Sequence, residues 1–382
     1  MSRSLFRIAS IILLSLLVLS PFPLQAQIET IVIPAGTPED QGLQAITKEP
    51  DAAKKLTMYQ DFLQQFSSNP QAVAFGNWQL AQYYQSAGDL QKALDYGDKA
   101  LASSPRNLDI LVSQASIAQQ MKNNSKLMEY SLRGGEVYNS IDKTAKPEGV
   151  SDQDFATHKE EQKSAAKNSY EFLEAAAFNV IVEENNAKAR MSDIERFTPA
   201  FPNSRFDESV ASYAMMSLSE LKDMGRMTSY GEKALAANPN SLPTLLLLAG
   251  AYVDDPKPGS VGKAAAYAQK AIAVAKADAP DADRSRKLSA GVAHSTLGYA
   301  YMKQDKTAAA IPELKSASAL LKGLDDQQYS VALYRLGYAY AKLSRVSEAR
   351  DVLTEAAKIP GPVQPLSQDL LSKVNAARAK GK

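Results

Sequence analysis

Apolar residues along the chain recur three and four positions apart, the spacing that puts them on one face of an α-helix. Leu56, Tyr59, Phe62, Leu63 and Phe66 give such a face over residues 51–66. This segment reads as the second helix of an incomplete hairpin, or as a cap. Leu111, Ala115 and Ala118 begin another helix, with a partner around residues 127–137 that Gly134 and Gly135 are expected to end. Residues 151–202 read as a long helix and a short one, through Ala177, Phe178 and Ile181 and then Ile194, Phe197 and Pro202.

The stronger signal is repetition. Leu297, Gly298, Tyr299, Ala300 and Tyr301 return as Leu336, Gly337, Tyr338, Ala339 and Tyr340, 39 residues on. Ala310, Leu314 and Ala317 return as Ala349, Leu353 and Ala356 at the same distance. A period of this size marks a stack of similar units rather than one globular core. Glycine inside a helix costs roughly 1 kcal/mol relative to alanine. Gly298 and Gly337 are therefore expected where another backbone comes too close for a side chain, with Ala310, Ala317, Ala349 and Ala356 as the small residues facing that gap. Tyr301 and Tyr340 share the glycine's face and should fill the space beside it.

The same offsets appear in Leu80, Ala81, Tyr84, Ala93, Ala100 and Pro105, where the proline stops the second helix. Tyr230, Gly231, Ala234, Leu235 and Pro239 parallel Tyr96, Gly97, Ala100, Leu101 and Pro105, behind a weaker first helix with Ala214, Met215 and Leu218. Leu248, Ala249 and Tyr252, then Ala264, Ala268 and Ala271, make a further copy with three extra residues in the Pro- and Gly-rich loop 254–262. The order Leu, Gly, Tyr, Ala, large apolar, Ala resembles the tetratricopeptide repeat, a pair of antiparallel helices of about 34 residues. The resemblance covers roughly residues 51–360 and implies an all-α, right-handed solenoid of about six to seven antiparallel helical hairpins. Two features depart from it. Pro312 falls within a predicted second helix, where it should kink the chain or force a late start, and the 39-residue period implies a longer connection around residues 323–327.

The N-terminus is of another kind. Arg3 and Arg7 precede an apolar run over residues 8–19, broken by Pro21 and Pro23 before Leu24, Gln25 and Ala26. Twelve helical residues reach about 18 Å, short of a hydrocarbon core of about 30 Å. A secretory signal cleaved after Ala26 is expected, with an uncleaved anchor as the alternative. With no cysteine anywhere, neither a disulfide nor a cysteine-linked lipid is available, which fits a bacterial periplasmic or secreted protein. Removal of residues 1–26 leaves 41 basic and 42 acidic residues, a balance with no electrostatic footprint for nucleic acid. Membrane contact is expected only through the signal segment, if it stays uncleaved. The organisation expected along the chain is a signal over 1–26, an extended or disordered leader over 27–50, N-terminal hairpins over 51–140, a linker and long-helix degenerate hairpin over 141–205, C-terminal hairpins over 206–360, and a capping helix and tail over 361–382.

Catalytic patterns are scarce. His158 and His294 are the only histidines and lie in different repeats, so neither a zinc site nor any cofactor is implied. Gly259, Ser260, Val261, Gly262 and Lys263 fall two residues short of a phosphate loop, with Ala264 where a magnesium-binding hydroxyl belongs. Adjacent acids such as Glu160 with Glu161 and Glu183 with Glu184 point in different directions on a helix. The expected role is non-enzymatic protein binding; the alternative is a cell-wall polysaccharide hydrolase or lyase on an α/α scaffold, which requires carboxylates converging in a deep cleft.

The resemblance also implies where a partner would sit. In such repeats the first helices line a concave groove through positions two before, and two, five and six after, the leucine. Here these include Trp78, Gln82 and Gln85 in the first clear hairpin, and Met216 and Glu220 in the third. The last two hairpins offer Tyr299, Met302 and Lys303, then Tyr334, Tyr338 and Lys342. The lysine and asparagine set that clamps a chaperone's C-terminal carboxylate in some relatives is absent, but Lys303 and Lys342 could attract an acidic segment. The expected occupant is a peptide or protein segment, drawn by aromatic and methionine side chains that offer large, adaptable contact.

Overall fold

The computed structural model describes residues 28–380, so the signal segment and its cleavage position lie outside the described residues. The described residues form seventeen α-helices, one 3-10 turn (Ile141–Lys143) and no strand. The helices are α1 (Pro38–Lys48), α2 (Ala52–Gln65), α3 (Pro70–Ser86), α4 (Leu90–Ser103), α5 (Leu108–Gln120), α6 (Asn124–Ser140), α7 (Asp152–Glu183), α8 (Ala187–Ala200) and α9 (Asp207–Glu220). They continue as α10 (Met224–Ala237), α11 (Leu242–Asp254), α12 (Ser260–Ala275), α13 (Arg284–Lys303), α14 (Thr307–Leu321), α15 (Asp326–Lys342), α16 (Val346–Ala356) and α17 (Gln364–Lys380).

Packing divides them into two units, residues 28–113 with 136–170, and residues 114–135 with 171–380. In the first unit α1 packs on α2, α2 on α3 and α3 on α4. The expected extended leader is thus corrected: Thr37 caps α1 by accepting from the Asp40 N–H, Pro38 starts it, and Ile46 is buried with Phe62 and Ala72. Glycine and proline in that stretch serve as helix punctuation, and α1 completes the hairpin of which α2 is the second member.

The second unit shows the repeat most fully. Each helix from α8 to α17 packs on the next, and α9, α11, α13, α15 and α17 also touch one another in sequence. This is the neighbour pattern of stacked helical hairpins.

A shared turn sets five of the hairpins. Five turns between first and second helices hold one left-handed residue: Gly88, Lys122, Lys222, Asp305 and Ser344. The next residue's N–H reaches back five positions, from Asp89 to Tyr84, Asn123 to Ala118, Asp223 to Leu218, Lys306 to Tyr301 and Arg345 to Tyr340, at 2.8–2.9 Å. These bonds satisfy carbonyls that the ending helix leaves open. In three of the turns that residue also caps the second helix, Asp89, Asn123 and Asp223 accepting from the N–H three positions on. Counting back eight from Lys122 puts Gln114 at the leucine place of the degenerate hairpin α5/α6, which is why the pattern fades there.

The repeated glycines lie inside the hairpin, with one change of partner. A Cβ on Gly298 would stand 2.6 Å from Leu314 Cγ, and one on Gly337 2.5 Å from Leu353 Cγ. What fills the gap is therefore a leucine of the second helix, fully buried in both cases, rather than an alanine's backbone; the Ala310 carbonyl comes next at 3.3 Å. Each leucine, removed from water, contributes about 1.5–3 kcal/mol.

Two further expectations change. Helix α6 runs through Gly134 and Gly135 instead of ending there, because Gly135 faces the Ala200 carbonyl, 2.5 Å from where a Cβ would sit, and the Phe201 ring. Glycine at that position serves close approach, not termination. Pro312 neither delays nor ends α14, which starts at Thr307; the proline sits on the exposed face of the helix.

Candidate functional site

The first helices of the last two hairpins, α13 and α15, pack side by side through a core of Met302, Leu336, Ala339 and Tyr340, with Tyr299 and Tyr334 packed at its edge. Above this core lies a depression of about 320 Å³, lined by Tyr299, Met302, Lys303, Tyr334, Arg335, Tyr338 and Lys342. All six residues picked out from these two hairpins meet there. The register explains it: positions two before, two after, five after and six after the leucine lie along one stripe of a 3.6-residue helix, and the 39-residue repeat brings two such stripes side by side.

Their exposures differ. Tyr338 is 46% exposed, unusual for a large side chain on a packed helix, whereas Met302 is 6% exposed. Met302 is thus corrected from a groove-facing anchor to a floor residue of the core. Ser295, two before the first leucine, is also buried, beneath Arg335. Burial raises the pKa of the Tyr334 hydroxyl above its ordinary value.

Three cations border the depression. Lys303 Nζ lies 2.9 Å from Asp254 and 4.9 Å from the centre of the Tyr299 ring. Burial pulls its pKa down, but the hydrogen bond and charge of Asp254, with Tyr299, outweigh that and hold it above its ordinary value. Lys342 Nζ lies 2.9 Å from Asp305, whose hydrogen bond likewise raises it. In both pairs a lysine at the end of a first helix is bound to an aspartate of the preceding hairpin, Asp254 as the last residue of α11 and Asp305 in the turn after α13.

Arg335 differs. Its Nη1 donates to Ser295 Oγ at 2.9 Å and to the Ser295 carbonyl at 3.3 Å, and its guanidinium lies 4.5 Å from the centre of the Tyr299 ring. Among the described residues no carboxylate comes within ion-pair distance of it. Loss of water lowers its pKa from the usual arginine value, opposed by Tyr299 and Asp254.

Sequence reasoning missed Arg335 and Asp254. Asp254 had a signal, since it stands six residues after Leu248, the register of Lys303 and Lys342. Arg335 had none, because its counterpart one before the preceding leucine is Thr296.

The remaining groove residues do not join this depression. Trp78, Gln82 and Gln85 lie on α3 in the other unit, all partly buried, and the Trp78 indole N–H is enclosed with no acceptor. Met216 and Glu220 are exposed on α9, Glu220 standing 4.0 Å from Arg190.

Several polar groups elsewhere are engaged within the fold. His294 Nδ1 meets Glu313 at 2.7 Å across α13 and α14. Lys263, from the near phosphate loop, binds Glu232 at 3.0 Å and Tyr252 at 3.3 Å. Asp207 and Glu208 line a smaller depression with Tyr230 and Lys233, but Glu208 accepts from Ser241 and Asn238 at the start of the next hairpin.

No protein-family model and no curated protein matches the chain. Among solved structures it is similar to a thermophilic tetratricopeptide protein of Thermus thermophilus, at 18% identity and a TM-score of 0.37 over 54% of this chain and 99% of that one. It is also similar to a tetratricopeptide protein from Parabacteroides merdae, at 12% identity and a TM-score of 0.34 over 88% and 98%. The tetratricopeptide domain of P58(IPK) gives 13% identity and a TM-score of 0.33 over 90% and 99%. The assignment of the hairpins rests on their own geometry, described above.

Proposed function

We propose that the chain is a non-enzymatic scaffold, exported to the periplasm by its N-terminal segment, that binds an extended segment of a protein partner between α13 and α15, in the assembly of an envelope or secretion complex. One observation carries this reading. Aromatic, methionine and lysine side chains from two successive hairpins converge on one depression, and the most prominent of them, Tyr338, is left open to solvent. Tyrosines on a rigid helix pair lose little conformational freedom on binding, so a few of them supply most of the affinity.

A photo-crosslinking amino acid in place of Tyr338, introduced in the native host, tests it. A discrete adduct is expected at this position and not at Lys270, an exposed residue of α12, and Tyr299→Ala with Tyr338→Ala should weaken capture of the same partner without loss of helical circular dichroism. Equal adducts at both positions would remove the reading. Collapse of the circular dichroism would place the two tyrosines among the packing residues instead. Sequencing the N-terminus of the exported protein should begin at Gln27; a chain that still carries residues 1–26 is anchored instead.

A further inference from the structure

We infer that the depression between α13 and α15 recognises an aspartate or glutamate side chain within an extended segment, and that Arg335 is the residue that reads it. This rests on the docking reading above and specifies its occupant.

The argument begins with charge. Lys303 and Lys342 each have an aspartate at 2.9 Å, so their charges are largely answered within the fold. Arg335 is half-buried, and its only hydrogen-bond acceptor among the described residues is Ser295, which is neutral and engages Nη1 alone. Its Nε and Nη2 donors have no acceptor there. A guanidinium taken partly out of water with no carboxylate in contact is costly, and its fork of donors matches the two oxygens of a carboxylate. The Tyr299 ring, 4.5 Å from the guanidinium carbon, and the two bonds from Nη1 to Ser295 hold the group in place. The group is therefore oriented before any ligand arrives, which lowers the entropic cost of binding.

The surroundings set the rest of the chemistry. Tyr334, Tyr338 and the Met302 floor give apolar contact beside the charge, so the acid is flanked by a large apolar residue. Asp254, bound to Lys303, Asp305, bound to Lys342, and Asp369 with Lys373, which act on Tyr334 from α17, are the other charges near the lining; all three acids have a lysine partner, and although Asp254 acts on Arg335 from a distance, Arg335 is the lining cation with no carboxylate in contact among the described residues. The lining comes from two helices only.

Random twelve-residue peptides, amidated at the C-terminus and displayed against the full mature chain, provide the probe. Peptides whose binding Tyr338→Ala weakens should share an Asp or Glu next to an aromatic or aliphatic residue. Exchanging that acid for its amide should weaken binding about ten- to a hundredfold, as should Arg335→Gln, and the two changes together should cost little more than either alone. Arg335→Lys, which keeps the charge but not the fork, should retain part of the affinity, and helical circular dichroism of each variant shows that it is folded. Selected peptides that depend on Tyr338 but tolerate the amide exchange would overturn the inference and leave the docking reading standing. Peptides that gain affinity only when the terminal amide is replaced by a free carboxylate would overturn it in favour of a chain end. Failure to select any Tyr338-dependent peptide would overturn both.

Discussion

At the scale of the residue, glycine shows how one identity carries opposite meanings in one helix type. Gly337 holds open the space that Leu353 fills, with a contact of 2.5 Å awaiting any Cβ, while Gly250, inside α11, would meet nothing within 4 Å. Gly337→Ala should therefore destabilise the chain by about 1–2 kcal/mol, since overpacking outweighs the gain in helix propensity. Gly250→Ala should stabilise it by about 0.5–1 kcal/mol, because only the unfolded chain loses freedom. Urea unfolding of the two variants checks the pair; shifts of the same sign would refute the packing account. The Leu-Gly-Tyr strings were legible in the sequence because the contacts they make are within one hairpin. Gln114 was not, since a polar residue at a leucine place is visible only once the left-handed turn at Lys122 fixes the register.

Between elements, tyrosine–carboxylate bonds tie second helices to a neighbouring first helix. Tyr252 donates to Glu232 at 2.6 Å, linking α11 to α10, and Tyr329 donates to Glu355 at 2.7 Å, linking α15 to α16. Each carboxyl is held below its ordinary pKa, chiefly by that tyrosine and further by Lys263 and Lys322 respectively. A depressed folded pKa means stability that is complete above the unfolded value of about 4.3 and is lost as pH falls through the folded value. Glu232→Gln with Glu355→Gln keeps an acceptor for each tyrosine and removes the titration. Between pH 5 and pH 3 the unfolding midpoint of the parent chain should fall further than that of the double variant; parallel profiles would show that these bonds carry no pH dependence. Neither bond was foreseen, because Glu232 and Tyr252, like Tyr329 and Glu355, lie 20 or more residues apart along the chain.

For the whole molecule, stacking means that each hairpin is stabilised by its neighbours and that an end needs a cover. Helix α17 packs on α16 and α15, placing Val374, Leu370 and Leu371 against Leu336, Tyr340 and Leu353. Removal of residues 362–382 should speed amide hydrogen exchange in α15 and α16 about tenfold or more and leave α11 and α12 unchanged. Uniform acceleration throughout would mean that the second unit opens as one body.

The amino-acid sequence by itself determined the helices, their pairing and the stripe on which Tyr299, Lys303, Tyr334, Tyr338 and Lys342 fall, because helical periodicity and hairpin packing are set by residues near one another along the chain. It did not determine that residues 38–48 fold as a helix, since only burial of Ile46 against Phe62 draws that stretch into order. Nor did it reveal Arg335. The charge balance of a site depends on which side chains meet across neighbouring hairpins, about 40 residues apart, and that meeting exists only when α13 and α15 lie side by side.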